Sequence, residues 1–169
     1  VDLDVSPIGG DGIIPSGNQG SSLCKFLMPN LFDVASSKDL TPSKEGGETG
    51  IRKFKNDKFL KKAIRVALEY GKSTPQPSSV MSGIGLVGAL PSNFKPVWTR
   101  AILEKLCPPG GVYWDFCSGF GGRLLGTLTS PNNYTYIGTE PNAETVHNLN
   151  KLGNYIEKVT GRQDSFQIH

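Results

Sequence analysis

The feature that most constrains the fold is an alternation of short apolar runs and helical patterns over residues 93–169. β-rich runs at 112–116, 134–138 and 165–168 are separated by helical patterns at 123–129 and 143–159, and another helical pattern at 97–107 precedes them. This order is typical of βαβ units, which form parallel sheets with right-handed crossovers. We therefore predict an α/β fold with about three parallel strands.

The preceding residues have a different character, because turn-forming glycines and prolines are frequent in residues 1–92. We expect an irregular arm and loop over 1–50, with one or two short helical turns at 21–34. Residues 51–92 are expected to form a basic helix at 57–70, capped by Asn56 and ended by Gly71, and then a Gly/Pro-rich loop over 72–92. Residues 93–169 form the third part.

Positive charge is concentrated in residues 52–72, which hold eight basic and two acidic side chains, although the whole chain carries only +3. In the helical pattern, Lys58, Lys61, Lys62 and Arg65 fall opposite the apolar side. Such a surface can bind the phosphate backbone of a nucleic acid. A solvated helix face without a ligand is the alternative interpretation.

Composition excludes several classes of protein. No run of about 18 apolar residues is present, so we expect no membrane span. Three scattered cysteines are too few for a disulfide framework or a zinc site, which favours a reducing compartment. We expect no metal site.

The chemistry-bearing unit is residues 115–123, with the sequence DFCSGFGGR, which follows the first predicted strand and begins a helix. Ligands of open α/β sheets bind at the carboxyl ends of the strands, where glycines let the backbone approach them and helix amides are unpaired. Glu140 ends the second strand, 25 residues after Asp115. An acid at that place can accept hydrogen bonds from a ribose diol. Together these features predict a nucleoside-containing cofactor.

The pattern discriminates between cofactors. Gly119 and Gly121 fit the dinucleotide pattern G-x-G-x-x-G/A, but Leu124 occupies the last position. The nucleotide-binding pattern G-x-x-x-x-G-K-[ST] is absent. An acidic strand end, a compact glycine turn and a second acid suit S-adenosylmethionine better.

These residues resemble a known family. The segment DFCSGFGGRLLG, preceded by CPPGG and followed by YIGTEPN, is similar to the first two cofactor motifs of S-adenosylmethionine-dependent methyltransferases. The segment Asn93-Phe-Lys-Pro96 adds a resemblance to DNA methylase-like proteins of phages and bacteria. The resemblance implies a Rossmann-like class I methyltransferase sheet that binds S-adenosylmethionine, methyl transfer to a DNA base amino group, and a cytoplasmic location in a bacterial or phage-infected cell.

The resemblance also implies roles for individual residues. Asp115, Ser118, Gly119 and Gly121 would line the methionine end of the cofactor, while Glu140 would bind the ribose. Asn93 and Phe94 would lie near the methionine carboxylate. The role of Arg123 stays open between capping a helix and facing a phosphate. The expected cofactor residues are Asn93, Phe94, Asp115, Ser118, Gly119, Gly121, Glu140, Pro141 and Asn142.

The sequence departs from the family in its catalytic part. It contains neither an Asp/Asn-Pro-Pro-aromatic motif nor a Pro-Cys nucleophile, so the catalytic residues are unknown. Three of the family's seven strands can be placed, which suggests the amino-terminal part of a methyltransferase, completed by a carboxyl-terminal region or a second chain. A noncatalytic structural or interaction protein on this fold, or an RNA or protein methyltransferase, are the alternatives.

Simpler structural roles are also expected for some residues. We expect Cys117 to be a small buried residue, Trp98 and Trp114 to belong to the core, and His147 to lie at the surface. The unalternating run 112–116 is typical of a strand buried on both faces. Glu140 would alternatively cap the helix that begins at residue 143.

Overall fold

The structure is a computed structural model, and it describes residues 7–8, 14–15, 17–34, 49–69, 77–87 and 91–169. The chain divides into two compact units. The first, called the sheet unit, comprises Val1–Pro29 and Asn93–His169, and the second, called the helical unit, comprises Asn30–Ser92. No helix in the described ranges has both the length and the apolar character needed to cross a lipid bilayer.

The sheet unit contains an antiparallel pair of two-residue strands and a three-stranded parallel sheet. Its strands are β1 (Pro7–Ile8), β2 (Ile14–Pro15), β3 (Val112–Asp115), β4 (Thr135–Gly138) and β5 (Phe166–Ile168). The parallel sheet has the order β3-β4-β5. This confirms the predicted mixed α/β class with three parallel strands.

Helices α1 (Ser21–Leu27), α5 (Pro96–Leu106), α6 (Gly122–Leu128) and α7 (Ala143–Thr160) belong to the sheet unit. Their ends follow from local chemistry. Pro96 occupies the first turn of α5, where its missing N–H costs no hydrogen bond. The Asn142 side chain caps α7, and Gly161 ends it at φ 73°, a conformation that glycine adopts readily. These bounds agree with the helices predicted in this region.

One face of the parallel sheet is covered, and it carries the core. Tyr136 of β4 is fully buried there among leucines of α6 and α7. Cys24 and Met28 join this core, so the expected short turn near residue 24 docks on the sheet unit as a regular helix. The cluster consists of Cys24, Met28, Leu124, Leu125, Leu128, Tyr136, Leu149, Leu152 and Ile156.

The opposite face corrects the expectation that β3 is buried on both sides. Val112, Trp114 and Phe116 are 65%, 66% and 73% exposed, so Trp114 is not a core residue. They alternate with half-buried Tyr113 and buried Asp115, which point to the covered face. Among the described strands, β3 pairs with β4 alone. The sequence pattern indicated that β3 is apolar. Its burial, however, depends on which elements pack against each face of the sheet.

Two apolar residues on helices of the sheet unit are less buried than their sequence patterns suggest. In α5 the buried residues include Val97, Thr99 and Leu103, while Trp98 is only half-buried. In α7 the apolar residues Leu149, Leu152 and Ile156 are buried, but Val159 is 55% exposed. The last turn of α7 therefore contributes less to the core than its apolar residue suggests.

The helical unit contains α2 (Gly50–Lys55), α3 (Asp57–Glu69) and α4 (Pro77–Val87). The helix predicted at 57–70 is confirmed over Asp57–Glu69, and Asn56 caps it, since the Phe59 amide donates to Asn56 Oδ1 at 3.2 Å. Gly71, its expected end, lies outside the described residues. Apolar Ala63 and Ala67 are buried, as the helical pattern predicts.

Helix α4 corrects the prediction of a loop over residues 72–92. A Cβ atom added at Gly83 would lie 2.2 Å from the carbonyl oxygen of Ala63, so α4 approaches α3 at a distance that only glycine permits. The glycines and serines of α4 lower its helix propensity, but the absence of a side chain at Gly83 allows this close packing. Tertiary contact thus outweighs the local preference for a loop.

Candidate functional site

The candidate site is the turn between β3 and α6, together with the end of β4. The parallel register places Asp115 beside Gly138, so the segments that follow both strands emerge at the same edge of the sheet. The Ser118 amide donates to Thr139 O at 3.0 Å, and the Thr139 amide donates to Asp115 O at 2.9 Å. These bonds hold the two segments together.

Glycines set the path of this turn. Gly119 and Gly121 have φ values of 57° and 78°, which side-chain-bearing residues rarely adopt. Gly122 is needed for another reason, because a Cβ atom there would lie 1.8 Å from the carbonyl oxygen of Phe94. The motif predicted a glycine turn at this place, but it showed neither these φ values nor the contact of the Phe94 carbonyl with the turn.

Glu140 connects β4 to the glycine turn. Its Oε2 accepts a hydrogen bond from the Gly119 amide at 3.0 Å, and its Oε1 accepts one from the Asn142 amide at 3.2 Å. Each oxygen of an ionised carboxylate has more than one acceptor site, so this arrangement leaves Glu140 with capacity for further donors. The cap of α7 is Asn142, whose Oδ1 accepts from the Thr145 amide at 2.9 Å.

Asp115 is the centre of a buried polar network beneath the turn. Its Oδ1 accepts from the Cys117 amide at 3.2 Å. Its Oδ2 accepts from Arg123 Nε at 2.6 Å and from the Tyr136 hydroxyl at 2.7 Å. Asp115 itself is 5% exposed, so these donors replace the water that a buried carboxylate requires.

The network also affects the proton equilibria of its members. Burial raises the pKa of Tyr136 far above its ordinary value, and the hydrogen bond to Asp115 acts in the same direction. Burial works against the charged form of Arg123, but the hydrogen bond and charge of Asp115 raise its pKa overall. At neutral pH the site therefore contains a neutral phenol and a charged guanidinium.

Arg123 occupies a defined position above the turn. Besides its bond to Asp115, its Nη2 donates to the carbonyl oxygen of Cys117. Its guanidinium lies 5.8 Å from the ring centroid of Phe94, which makes edge contact with Trp98. The sequence left the role of Arg123 open, and its position eight residues after Asp115 gave no signal that the two would pair.

Asn93 holds the turn through both ends of its carboxamide. Its Nδ2 donates to Phe120 O at 2.7 Å, and its Oδ1 accepts from the Gly122 amide at 3.2 Å. The first amide of α6 is therefore paired with a side chain. Asn93 lies beside the turn, and these two contacts position the backbone of the turn.

The remaining expected cofactor residues lie around the same edge. Ser118 is buried beneath the turn, whereas Pro141 and Asn142 are exposed at its rim. Cys117, expected to be buried, is exposed. The exposed position of His147 confirms that prediction. The structure thus brings together Asn93, Phe94, Asp115, Ser118, Gly119, Gly121, Glu140, Pro141 and Asn142.

Cys24 contacts the site through the side chain of Asn93. The thiol is 1% exposed, and burial raises its pKa to about 12, although a hydrogen bond with the Asn93 side chain opposes this shift. The thiol is therefore uncharged at neutral pH and serves as a packing group. Sequence reasoning did not place it next to Asn93, because the two residues are far apart in the chain.

The basic surface expected on the helical unit is present on α3. Lys58, Lys61, Lys62 and Arg65 are all exposed, opposite the buried alanines.

A search of protein-family models, of curated proteins and of solved structures finds no match to this chain. The site is therefore interpreted from its own chemistry.

Proposed function

We propose that this chain is the cofactor-binding part of an S-adenosylmethionine-dependent methyltransferase that acts on DNA, with a Rossmann-like sheet of the class I type. The observation that carries the proposal is the contact between Glu140 Oε2 and the Gly119 amide. It joins an acid at the end of one parallel strand to a glycine turn at the end of its neighbour. That pairing supplies a ribose acceptor beside a close backbone approach.

The reaction that this site would serve is a direct displacement. S-adenosylmethionine, held by Glu140 and the glycine turn, would supply the methyl group. A base nitrogen would form the N–CH₃ bond as the S–CH₃ bond breaks, and the sulfur would keep the bonding pair. The products are a methylated base, which loses a proton, and S-adenosylhomocysteine. An exocyclic amino group becomes accessible once the base is flipped out of the duplex. The residues that would hold the base are not assigned to this chain.

Calorimetry with S-adenosylmethionine and S-adenosylhomocysteine tests the cofactor. We expect the wild-type chain to bind both ligands and Glu140→Ala to weaken binding by about tenfold or more, because charge-assisted hydrogen bonds to the ribose are removed. The matched control is Glu144→Ala, since Glu144 is an exposed acid at the start of α7. Equal affinity of Glu140→Ala and wild type would exclude the ribose role, and lack of wild-type binding would contradict the proposal.

The basic face of α3 supports DNA as the substrate. Its four cations are exposed and share one helix face, so they can contact successive phosphates without sequence readout. Binding of this kind releases counterions, and its affinity falls with salt concentration. We therefore assign phosphate contact to Lys58, Lys61, Lys62 and Arg65.

Fluorescence anisotropy with a labelled duplex tests this assignment over a range of salt concentrations. The double variant Lys61→Gln/Lys62→Gln is expected to reduce the slope of log K against log salt by about 0.9 for each phosphate that the helix no longer neutralises. Lys151→Gln/Lys158→Gln removes the same charge from exposed positions on α7 and is the control. Equal slopes for the two double variants would show that α3 has no specific part in DNA binding.

A further inference from the structure

We propose that a pocket between α1, α6 and α7 binds an uncharged, largely apolar small molecule about the size of two fused aromatic rings. The pocket belongs to the sheet unit and has a volume of about 310 Å³. None of its described lining residues comes from the glycine turn or the end of β4. The proposal therefore does not depend on the proposed function.

The walls of the pocket are apolar side chains from all three helices. Leu23 belongs to α1 and Leu125 to α6, while Ile156 and Val159 belong to α7. Leu125 and Ile156 are 4% and 3% exposed, so they form its floor. Among the described residues, no charged side chain lines the pocket. An ionic ligand would lose its hydration there without gaining a partner, which selects an uncharged molecule.

Two threonine hydroxyls also line the pocket, but helix carbonyls already accept their protons. Thr129 Oγ1 donates to Leu125 O at 2.7 Å, and Thr160 Oγ1 donates to Ile156 O at 2.8 Å. A water molecule held in a cavity requires two to four polar partners. These walls satisfy that requirement poorly, so an apolar ligand is a better occupant than water.

The last turns of α7 present apolar surface that the fold itself does not bury. Val159 continues the apolar stripe of α7 but is 55% exposed, and Tyr155 is 48% exposed. Both residues line the pocket, and their exposure places them at its rim. A ligand seated against them removes this surface from water, which favours binding. The Tyr155 phenol also offers a hydrogen-bonding group to a ligand hydroxyl.

The start of α1 contributes to the shape of the pocket. Gly20, another lining residue, precedes α1 with φ of 80°. A Cβ atom at Gly20 would lie 2.7 Å from Leu125 Cδ2, so a side chain there would displace part of the floor. Glycine lets α1 begin close to Leu125 while the pocket remains formed. The ligand thus meets a site that is already present in the folded chain, as is usual for small-molecule pockets.

The volume determines the size of the ligand. An apolar cavity of roughly 150 Å³ accommodates one benzene ring. The pocket described here, at about 310 Å³, has about twice that volume. A molecule of two fused rings, with at most one hydroxyl group to reach Tyr155, fits both its size and its chemistry.

Calorimetry with 1-naphthol tests the ligand class, and naphthalene-1-sulfonate is the charged probe with the same rings. We expect 1-naphthol to bind with a Kd on the order of 10–100 μM, and the sulfonate to bind at least about tenfold more weakly because the pocket offers its charge no partner. No binding of 1-naphthol, or equal affinities for the two probes, would overturn the proposal.

Methyl chemical shifts of the labelled wild-type chain locate the bound 1-naphthol. We expect saturable shifts at the methyl groups of Leu23, Leu125 and Val159. The Val112 methyl groups, at a 65% exposed position on β3, are the control for unspecific contact with apolar surface. Shifts at Val112 without shifts in the pocket would overturn the assignment.

A substitution that fills the pocket supplies an independent arm. Val159→Trp places an indole ring at the rim and should lower the affinity for 1-naphthol by about tenfold or more. Lys151→Trp adds the same group at an exposed position of α7 outside the pocket and should keep the wild-type affinity. Unchanged affinity of Val159→Trp would contradict the proposal, and the wild-type methyl shifts decide the question if this variant does not fold.

Discussion

The Gly119 amide donates a hydrogen bond to Glu140 Oε2 at 3.0 Å, although 21 residues separate the two in the chain. The contact depends on the parallel pairing of β3 with β4, which brings the ends of both strands to one edge. It also depends on φ of 57° at Gly119, which aims the amide at the acid. The site therefore depends on the pairing of β3 with β4 as well as on the glycine motif.

Two glycines of the turn should respond differently to substitution. Gly119→Ala is expected to destabilise the chain by about 1–2 kcal/mol through its left-handed backbone, and Gly119→Asn by less, because asparagine tolerates that region. Gly122→Ala and Gly122→Asn should both destabilise, by about 1–3 kcal/mol or more, since any Cβ meets Phe94 O. Urea unfolding measures both series. If Gly122→Asn were clearly less destabilising than Gly122→Ala, the steric explanation would be contradicted.

The Tyr136 hydroxyl is expected to contribute to stability through Asp115. Tyr136→Phe removes a donor to a buried carboxylate and should lower the free energy of unfolding by about 1.5–3 kcal/mol. Tyr155→Phe, at a half-exposed position on α7, should change it by less than about 0.5 kcal/mol. Equal effects of the two substitutions in chemical denaturation would show that the network does not stabilise the folded state.

Alkaline pH should destabilise the chain through Cys24. Burial raises its thiol pKa from 9.0 to about 12, so above pH 9 the unfolded chain loses a proton that the folded chain retains. Stability therefore falls as the pH rises from 9 towards 12, with a slope of about 1.4 kcal/mol per pH unit from this group. Denaturation at several pH values should show that the free energy of unfolding falls less steeply with pH for Cys24→Ala than for the wild type. The raised pKa of Tyr136 affects both proteins equally, so the difference between them reports Cys24. Cys117→Ala, at an exposed position, should keep the wild-type slope, and a parallel curve for Cys24→Ala would exclude this linkage.

The close approach of α3 and α4 can be tested with two glycines of the same helix. Gly83→Ala should destabilise the helical unit by about 1–3 kcal/mol, because its Cβ would meet Ala63 O. Gly85 is exposed, so Gly85→Ala should stabilise α4 by up to about 1 kcal/mol through helix propensity. Thermal unfolding followed by circular dichroism distinguishes the two. A stabilising Gly83→Ala would be incompatible with the packing described.

Most elements of residues 93–169 could be predicted from the sequence, because their periodicity and caps are local signals. Gly161, which ends α7, is a local signal of this kind, as Asn56 is at the start of α3 in the other unit. The parallel sheet follows from the order of elements. Helix α4 could not be predicted, since Gly83 favours a helix there only through its contact with Ala63. The exposure of Trp114 was missed because a strand's pattern does not show what covers each face.

The candidate site was partly predictable for the same reason. Parallel strands bring their ends together, so the proximity of Glu140 to Gly119 follows from topology and motif spacing. The Arg123–Asp115 pair and the bonds of Asn93 to the turn depend on side-chain directions in the packed structure. No local signal in the sequence specifies those directions.

The central claim is that the glycine turn and Glu140 bind a nucleoside cofactor, and amide chemical shifts test it most directly. S-adenosylhomocysteine would be titrated into the ¹⁵N-labelled full chain. The account predicts saturable shifts at the Gly119 and Glu140 amides, with Gly161, at the far end of α7, as the internal control. Absence of shifts at the turn, or shifts confined to residues away from it, would contradict the claim.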